Sequence, residues 1–296
     1  MTGTDLMREV PVPAPFSLAA TCGPVDWARG RWPNEDWIGG ELIWVGWEGD
    51  RVVHRRVRSS GASLSIGGDA DPELDRIWAS SKLCIDHCMP RPVDPVIARI
   101  ALANPGLRPH TSGSLFAGLV DSIVGQSITV MAAAVVSARI ASQFHPGIEV
   151  AGRIFWPLPR PEDLANADVA RLRRTGLTWK RAEALIEAGQ TALDGRFRER
   201  DHPSAEALRE MLLELPLVGR WTAESAMLWG IGAGDAFPMG DVALLRAARK
   251  AYEQPEMTMT ELEEMSRGWA GHRGWASRLL WLELFGPARS YACGPE

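Results

Sequence analysis

The chain has 296 residues, of which 46% are hydrophobic, and this is enough for two modest domains or one large domain with sizeable cores. The formal net charge of −5 bears on solubility and long-range steering, whereas contacts to anions depend on where the lysines and arginines lie. No apolar run reaches the roughly twenty residues of a membrane span, and the N-terminus lacks a charged start followed by an apolar core. We therefore expect a cytoplasmic protein without membrane contact.

The N-terminal region has the alternation typical of β-strands. Residues 42–47 and 51–57, separated by a short turn, predict a β-hairpin, and residues 63–66 predict a third strand. Ahead of them, the prolines of residues 11–15 predict an extended entry.

Residues 71–88 are predicted to form a helix. Its apolar face would consist of Leu74, Ile77 and Trp78. On such a helix Cys84, His87 and Cys88 would lie one turn apart, and they could hold a metal only with ligands from elsewhere. We expect no metal there.

From Asp94 onward nearly all of the chain is predicted to be helical, except for a loop over residues 153–161. Within this part, residues 204–213 and 222–229 predict two helices joined by a tight turn, in which Pro216 ends the first helix and Gly219 permits the turn. The amides of Gly219, Arg220 and Trp221 would then open the second helix unpaired and attract a phosphate. The spacing alone fits an ordinary helix-turn-helix connection equally well.

Residues 215–223, followed by residues 237–241, resemble the helix-hairpin-helix of the base-excision DNA glycosylase (HhH-GPD) superfamily and its downstream aspartate, here Asp241. Three further segments resemble its 3-methyladenine DNA glycosylase II branch: residues 119–128, 176–185 and 275–281. The four segments occur in the family's order, within residues 104–286. The resemblance implies an α+β fold in which an N-terminal antiparallel-sheet domain, residues 1–92, precedes an all-helical core, residues 93–296, with the hairpin at about residues 205–230.

The resemblance implies a DNA glycosylase that flips a damaged or modified base out of double-stranded DNA and hydrolyses its N-glycosidic bond. Asp241 would be the catalytic residue, since a carboxylate beside the sugar stabilises the positive charge of the transition state and can align or deprotonate water. From the pattern alone, Asp241 is equally the N-cap of the next helix, and both roles can hold. Asp235, in the same loop, is not expected to be catalytic.

Bifunctional family members carry a lysine that forms a Schiff base with the sugar, and Trp221 stands at that position here. The resemblance therefore implies a monofunctional enzyme that leaves an abasic site, with water as the attacking group. The protein would be associated with the nucleoid in a prokaryote and would need no obligate protein partner.

By family position, the pocket for the extruded base would be formed by Trp221, Trp281, Ser225 and Ala243. A tryptophan of a helical protein more often belongs to the core, and this interpretation stays open for both rings. Ser225 and Ala243 replace bulkier family residues, which implies room for a base larger than 3-methyladenine unless residues of the N-terminal domain, such as Phe16 or Trp27, fill it. An alternative function is therefore the excision of bulky modified cytosines from foreign phage DNA as a defence. A second alternative is a non-catalytic protein that binds distorted DNA, but the presence of Asp241 argues against it.

The residues expected to contact DNA are Gly219, Arg220, Thr222, Gln126 and Ser127. Gln126 and Ser127 match the loop that fills the gap left by the extruded base, where relatives place an apolar wedge, so Ile128 is an alternative wedge. Because the whole chain is acidic, we expect a local basic face around the hairpin and modest non-specific affinity.

The family's hairpin often holds an alkali cation, and the matching backbone carbonyls are those of Leu213, Leu215 and Leu217. Leu217 replaces the first glycine of the hairpin, but carbonyl ligation does not depend on the side chain. A structural Na⁺ or K⁺ ion is thus expected there, and otherwise no cofactor. Some relatives hold an iron–sulfur cluster with four closely spaced cysteines; Cys293 stands alone near the C-terminus, so no cluster is expected.

Overall fold

The computed structural model describes residues 7–90, 92, 94–198, 202 and 204–289. In its N-terminal part, five antiparallel strands form a sheet with the order β1-β5-β4-β3-β2. The strands are β1 Arg8–Pro11, β2 Glu35–Ile38, β3 Glu41–Glu48, β4 Arg51–Ser60 and β5 Ser63–Gly67. The chain after the sheet is mainly helical, which confirms the α+β fold. A domain boundary at residues 92 and 93 stays a prediction.

The predicted hairpin and third strand are confirmed as β3, β4 and β5, and the structure adds two edge strands. β1 pairs with β5 from Arg8 opposite Ile66 to Pro11 opposite Ser63. Pro11 ends this edge strand, where a missing backbone N–H is tolerated. Strand β2 pairs with β3 and forms the opposite edge of the sheet.

The helix predicted over residues 71–88 is shorter in the structure. A 3₁₀ turn at Pro72–Leu74 leads into helix α3, Asp75–Lys82, and Cys84 has a positive φ of 43° that ends helical spacing. The predicted apolar face is also wrong, because Trp78 is buried while the Ile77 side chain is 64% exposed. Cys84, His87 and Cys88 therefore do not share one helical turn.

Two short helices, α1 Leu18–Thr21 and α2 Gly23–Trp27, precede β2. The helices of the C-terminal part are α4 Pro95–Ala103, α5 Leu115–Gly125, α6 Val130–Ala141, α7 Pro161–Ala165, α8 Val169–Arg173, α9 Trp179–Leu193, α10 Ala205–Leu213, α11 Arg220–Ile231, α12 Val242–Ala251, α13 Met259–Ser266 and α14 Arg273–Phe285. Among the described residues, no single helix has the length and hydropathy to cross a membrane; α5 and α6 meet both criteria only as a pair bent by 117°.

A small hairpin interrupts the helices, so the loop predicted over residues 153–161 is partly wrong. Strand β6, Ile148–Val150, pairs with β7, Arg153–Phe155. The two connecting residues, Ala151 and Gly152, both have positive φ (52° and 77°), which is the geometry of the turns that join antiparallel strands. Phe155 is buried against β3.

Helices α5 and α11 cross at the centre of the helical core, where glycines allow a close approach. A Cβ added to Gly118 of α5 would lie 2.4 Å from the Cα of Gly230 on α11 and 2.5 Å from the carbonyl oxygen of Ala226. No side chain fits at such distances, so both glycines are required for the crossing. The crossing places the end of α5 beside the start of α11.

Candidate functional site

The turn between α10 and α11 presents the unpaired amides that the sequence predicts. Ser204 caps α10 by accepting from the amide of Ala207 at 3.2 Å. At the start of α11, Gly219 is the N-cap without a side-chain hydrogen bond, and the first helical bond runs from the amide of Ala223 to its carbonyl oxygen at 3.0 Å. The first amides of α11 therefore face outward beside the exposed Arg220 side chain, an arrangement that favours an anion.

Leu217 and Gln126 fix the shape of this turn. Leu217 has a φ of 63°, a left-handed conformation that costs a residue with a Cβ about 1–2 kcal/mol. The Gln126 side-chain amide donates to the carbonyl oxygen of Leu217 at 2.9 Å and to the hydroxyl oxygen of Thr222 at 3.0 Å. Gln126 thus connects the end of α5 to the hairpin turn through two hydrogen bonds.

The loop between α5 and α6 is a tight turn with Ser127 at its apex. Gln126 has φ −53° and ψ 126°, and Ser127 has a φ of 56°, as in a type II turn. Ser127 and Ile128 are exposed, whereas Gln126 is held by the hairpin. Arg181 donates to the Gln126 carbonyl oxygen from the other side. Ser127 and Ile128, rather than Gln126, are therefore the freely exposed side chains of this turn.

Basic side chains flank this turn. Lys180, next to Arg181 at the start of α9, is exposed. The guanidinium of Arg173 lies 4.4 Å from the ring centroid of Trp179, which is 52% exposed. A local basic face that includes these residues and Arg220 stays a prediction for this otherwise acidic chain.

Asp241 lies at the N-terminus of α12, and each of its carboxylate oxygens accepts one hydrogen bond. Oδ1 accepts from the amide of Leu244 at 2.7 Å, so the predicted N-cap is confirmed. Oδ2 accepts from the indole Nε1 of Trp221 at 3.1 Å. Since a carboxylate oxygen can accept more than one hydrogen bond, the group is oriented and still able to face a ligand.

Two ion pairs that the sequence analysis missed hold the loop that leads to Asp241. Asp235 accepts from the Arg273 guanidinium at 2.9 Å and 2.6 Å. Burial opposes ionisation of Asp235, but the hydrogen bonds from Arg273 outweigh it and lower the pKa of this carboxyl. Further along, buried Glu224 of α11 accepts from the amide of Phe237 at 3.0 Å and from Arg209 Nε at 2.6 Å. The sequence signal that could have indicated this ion pair was Glu224, a charged residue within the apolar pattern of α11.

The predicted base-pocket residues differ in accessibility. Trp281 is 4% exposed and packs against Trp229, with ring centroids 5.3 Å apart, and Ser225 is 2% exposed. Ser225 and Trp281 are therefore buried, and the expectation that Ser225 and Ala243 leave room for a larger base stays a prediction. Ala243 and Trp221 are half-buried, and Trp221 lies beside Asp241.

The carbonyls expected to bind an alkali cation already have some partners. Leu217 O accepts from Gln126, and Leu215 O accepts from the amide of Val218 at 3.2 Å. A cation on Leu213, Leu215 and Leu217 stays a prediction. Within the described ranges, no three His, Cys, Asp or Glu side chains are grouped to hold a metal ion. Cys293, on which the cluster argument rests, lies outside the described residues.

Comparisons with known proteins agree with this architecture. The family model for the HhH-GPD superfamily of base excision DNA repair proteins matches residues 120–270. DNA-3-methyladenine glycosylase 2 of Escherichia coli (strain K12) is 30% identical over 219 residues, which span 74% of this chain and 75% of the relative.

Two solved structures share the fold. The 3-methyladenine DNA-glycosylase from Archaeoglobus fulgidus has a TM-score of 0.78 at 20% identity, over 94% of this chain and 99% of that one. The apo-form 8-oxoguanine glycosylase/lyase of Clostridium acetobutylicum has a TM-score of 0.71 at 17% identity, over 94% and 98%. Because a glycosylase and a glycosylase/lyase share it, the fold does not decide between the two reactions. The family match and the relative of 30% identity decide the family, and the chain belongs to the HhH-GPD superfamily of base excision DNA repair proteins.

Proposed function

We propose that the protein is a monofunctional DNA glycosylase that flips an alkylated purine out of duplex DNA and hydrolyses its N-glycosidic bond. The observation that carries the proposal is the Asp241 carboxylate, oriented by Leu244 and Trp221 beside the hairpin. A fixed carboxylate there would stabilise the positive charge that develops on the sugar as the base leaves. The name of the Escherichia coli relative supports an alkylpurine as the substrate.

In this reaction a DNA phosphate binds the first amides of α11, and the turn at Ser127 enters the gap in the base stack. The bond between sugar C1′ and the base nitrogen breaks with its electron pair moving to the base. A purine alkylated on a ring nitrogen is cationic in DNA, so it leaves as a neutral base and takes up no proton. Water forms the new bond to C1′ and loses its proton, for which Asp241 is the nearby base. The products are a free base and an abasic strand.

Base release from a set of duplexes tests the function. We expect release from DNA bearing alkylpurines, and much less from DNA bearing bulky cytosine adducts, because Ser225 and Trp281 are buried. Duplexes bearing deaminated bases complete the set. Release from the bulky cytosines alone would favour the defence alternative. Tight binding to all duplexes without release would favour the non-catalytic binder.

The absence of lyase activity is a separate prediction. Trp221 stands where a Schiff-base lysine would be, and its indole nitrogen donates to Asp241 and offers no nucleophilic lone pair. We expect an intact abasic strand that breaks only after alkali, and no covalent complex when borohydride is added during turnover. A trapped complex would contradict the prediction, and its loss in Lys180→Met would identify Lys180 as the amine.

Arg220 is predicted to contact a phosphate. Arg220→Ala should weaken binding to all duplexes and reduce the slope of log affinity against log salt by about 1, because one fewer phosphate is neutralised. Arg51→Ala is the matched control, since Arg51 is also exposed but lies on the N-terminal sheet. An unchanged slope in Arg220→Ala, measured between about 50 and 200 mM salt, would exclude the contact.

A further inference from the structure

Two arginine side chains are buried without a carboxylate partner. Arg108 is 3% exposed and Arg278 is 5% exposed, and within the described residues neither forms an ion pair. Arg55 shows how the charge of a buried arginine is usually compensated, since it is 1% exposed and pairs with both Glu48 and Asp75. An unpaired buried charge is unfavourable, so Arg108 and Arg278 call for a compensating group.

Backbone carbonyls satisfy only part of the Arg108 guanidinium. Nη1 donates to Leu107 O at 3.0 Å, and Nη2 donates to Pro15 O at 2.8 Å and Pro13 O at 3.3 Å. Its Nε is buried and has no hydrogen-bond partner within the part of the chain that the structure describes. Carbonyl dipoles solvate a cation but leave its net charge in place.

Arg278 is in a similar position on α14. Nη1 donates to His110 O at 3.0 Å, Nη2 donates to Leu228 O, and the guanidinium lies 4.5 Å from the ring centroid of Trp229. Burial lowers the pKa of Arg278 to about 10 and also lowers that of Arg108, because removal from water disfavours the charged form.

The two arginines line one cavity. Its volume is about 10 Å³, room for a single water-sized species, and it lies between the α1–α2 segment and the helical core. Thr21 and Trp27 line it on one side, and Trp229 and Leu282 on the other. No acidic side chain is among its lining residues. The cavity is thus very small and is lined by two buried, positively charged side chains, one of which carries an Nε without a hydrogen-bond partner among the described residues.

We propose that this cavity binds one monatomic anion, chloride, between the side chains of Arg108 and Arg278. A water molecule would accept from the free Nε of Arg108 but would leave both charges uncompensated, whereas phosphate and sulfate are too large. The bound anion ties the α1–α2 segment to α14. The site is independent of Asp241 and of the DNA-binding hairpin.

Crystals of the wild-type protein soaked in bromide test the site directly. We expect an anomalous peak in the cavity, within about 3.5 Å of nitrogen atoms of both guanidiniums. A peak absent from the cavity while bromide occupies other sites on the protein would overturn the proposal, as would a species there with the scattering of water.

Thermal unfolding supplies the second test. At constant ionic strength, replacing glutamate by chloride should raise the melting temperature of the wild type by about 2–4 °C and then saturate, because the ion binds only the folded state. Arg108→Gln should abolish this saturable rise, and Arg174→Gln, which removes an exposed arginine, should retain it. An equal response in all three proteins would contradict the proposal; should Arg108→Gln not fold, the bromide experiment on the wild type decides alone.

Discussion

Asp241→Asn is expected to abolish base release, with a single-turnover rate lowered by about 10³-fold or more, while DNA affinity stays within a few fold. The carboxylate stabilises charge that exists only in the transition state, so its loss affects the rate and spares ground-state binding. Asparagine is as good an N-cap as aspartate, and the bond from the amide of Leu244 should persist. The substitution therefore separates capping from catalysis.

Asp168 provides the matched control. It is the N-cap of α8 and accepts from the amide of Arg171 at 2.7 Å, the same distance as in the Asp241 cap. Asp168→Asn should leave base release unchanged. If Asp241→Asn keeps wild-type turnover on an alkylpurine duplex, Asp241 is a cap and the proposed chemistry is wrong.

Glu224→Gln is expected to destabilise the protein by about 2–3 kcal/mol and to slow base release as well. Glu224 is 3% exposed, and breaking a buried ion pair usually costs about 3–5 kcal/mol; the 15% exposure of the Arg209 side chain reduces this. Glutamine can still accept from the amide of Phe237, but its NH₂ group would face Arg209. The loop that positions Asp241 should then be held less firmly.

Urea unfolding and single-turnover base release measure the two effects. Glu214→Gln is the control, because Glu214 also pairs with an arginine, Arg196, but its side chain is 66% exposed. An exposed pair contributes about 0–1 kcal/mol, so this variant should behave as wild type. Equal losses of stability in both variants would show that the burial of Glu224 has no special role.

The elements whose signals are local in the sequence were predictable. Ser204, Pro216 and Gly219 mark the two helices of the hairpin, and the structure places the helix boundaries within two residues of the expected ones. The N-cap at Asp241 was predictable for the same reason, since a short acidic side chain directly before a helical pattern is typical of an N-cap.

Other features depend on partners that are distant in sequence or on unusual backbone angles. β1 is a strand because β5 lies beside it, and nothing in residues 8–11 specifies that neighbour. Ala151 and Cys84 adopt positive φ, which their residue types do not favour, so the β6–β7 hairpin and the end of α3 were missed. The bond from Trp221 to Asp241 joins the first turn of α11 to the N-terminus of α12 and is visible only in three dimensions.

The glycine crossing of α5 and α11 has a consequence for how DNA would be bound. Gly118 and Gly230 bring the backbones of the two helices into close contact, and Gln126 joins the end of α5 to the hairpin turn. The exposed turn at Ser127 and the first amides of α11 are thus preorganised as one rigid body, so little conformational entropy is lost on association. The duplex must then adapt to the protein, and lesions that weaken stacking or pairing would be bound preferentially because they are the easiest to deform.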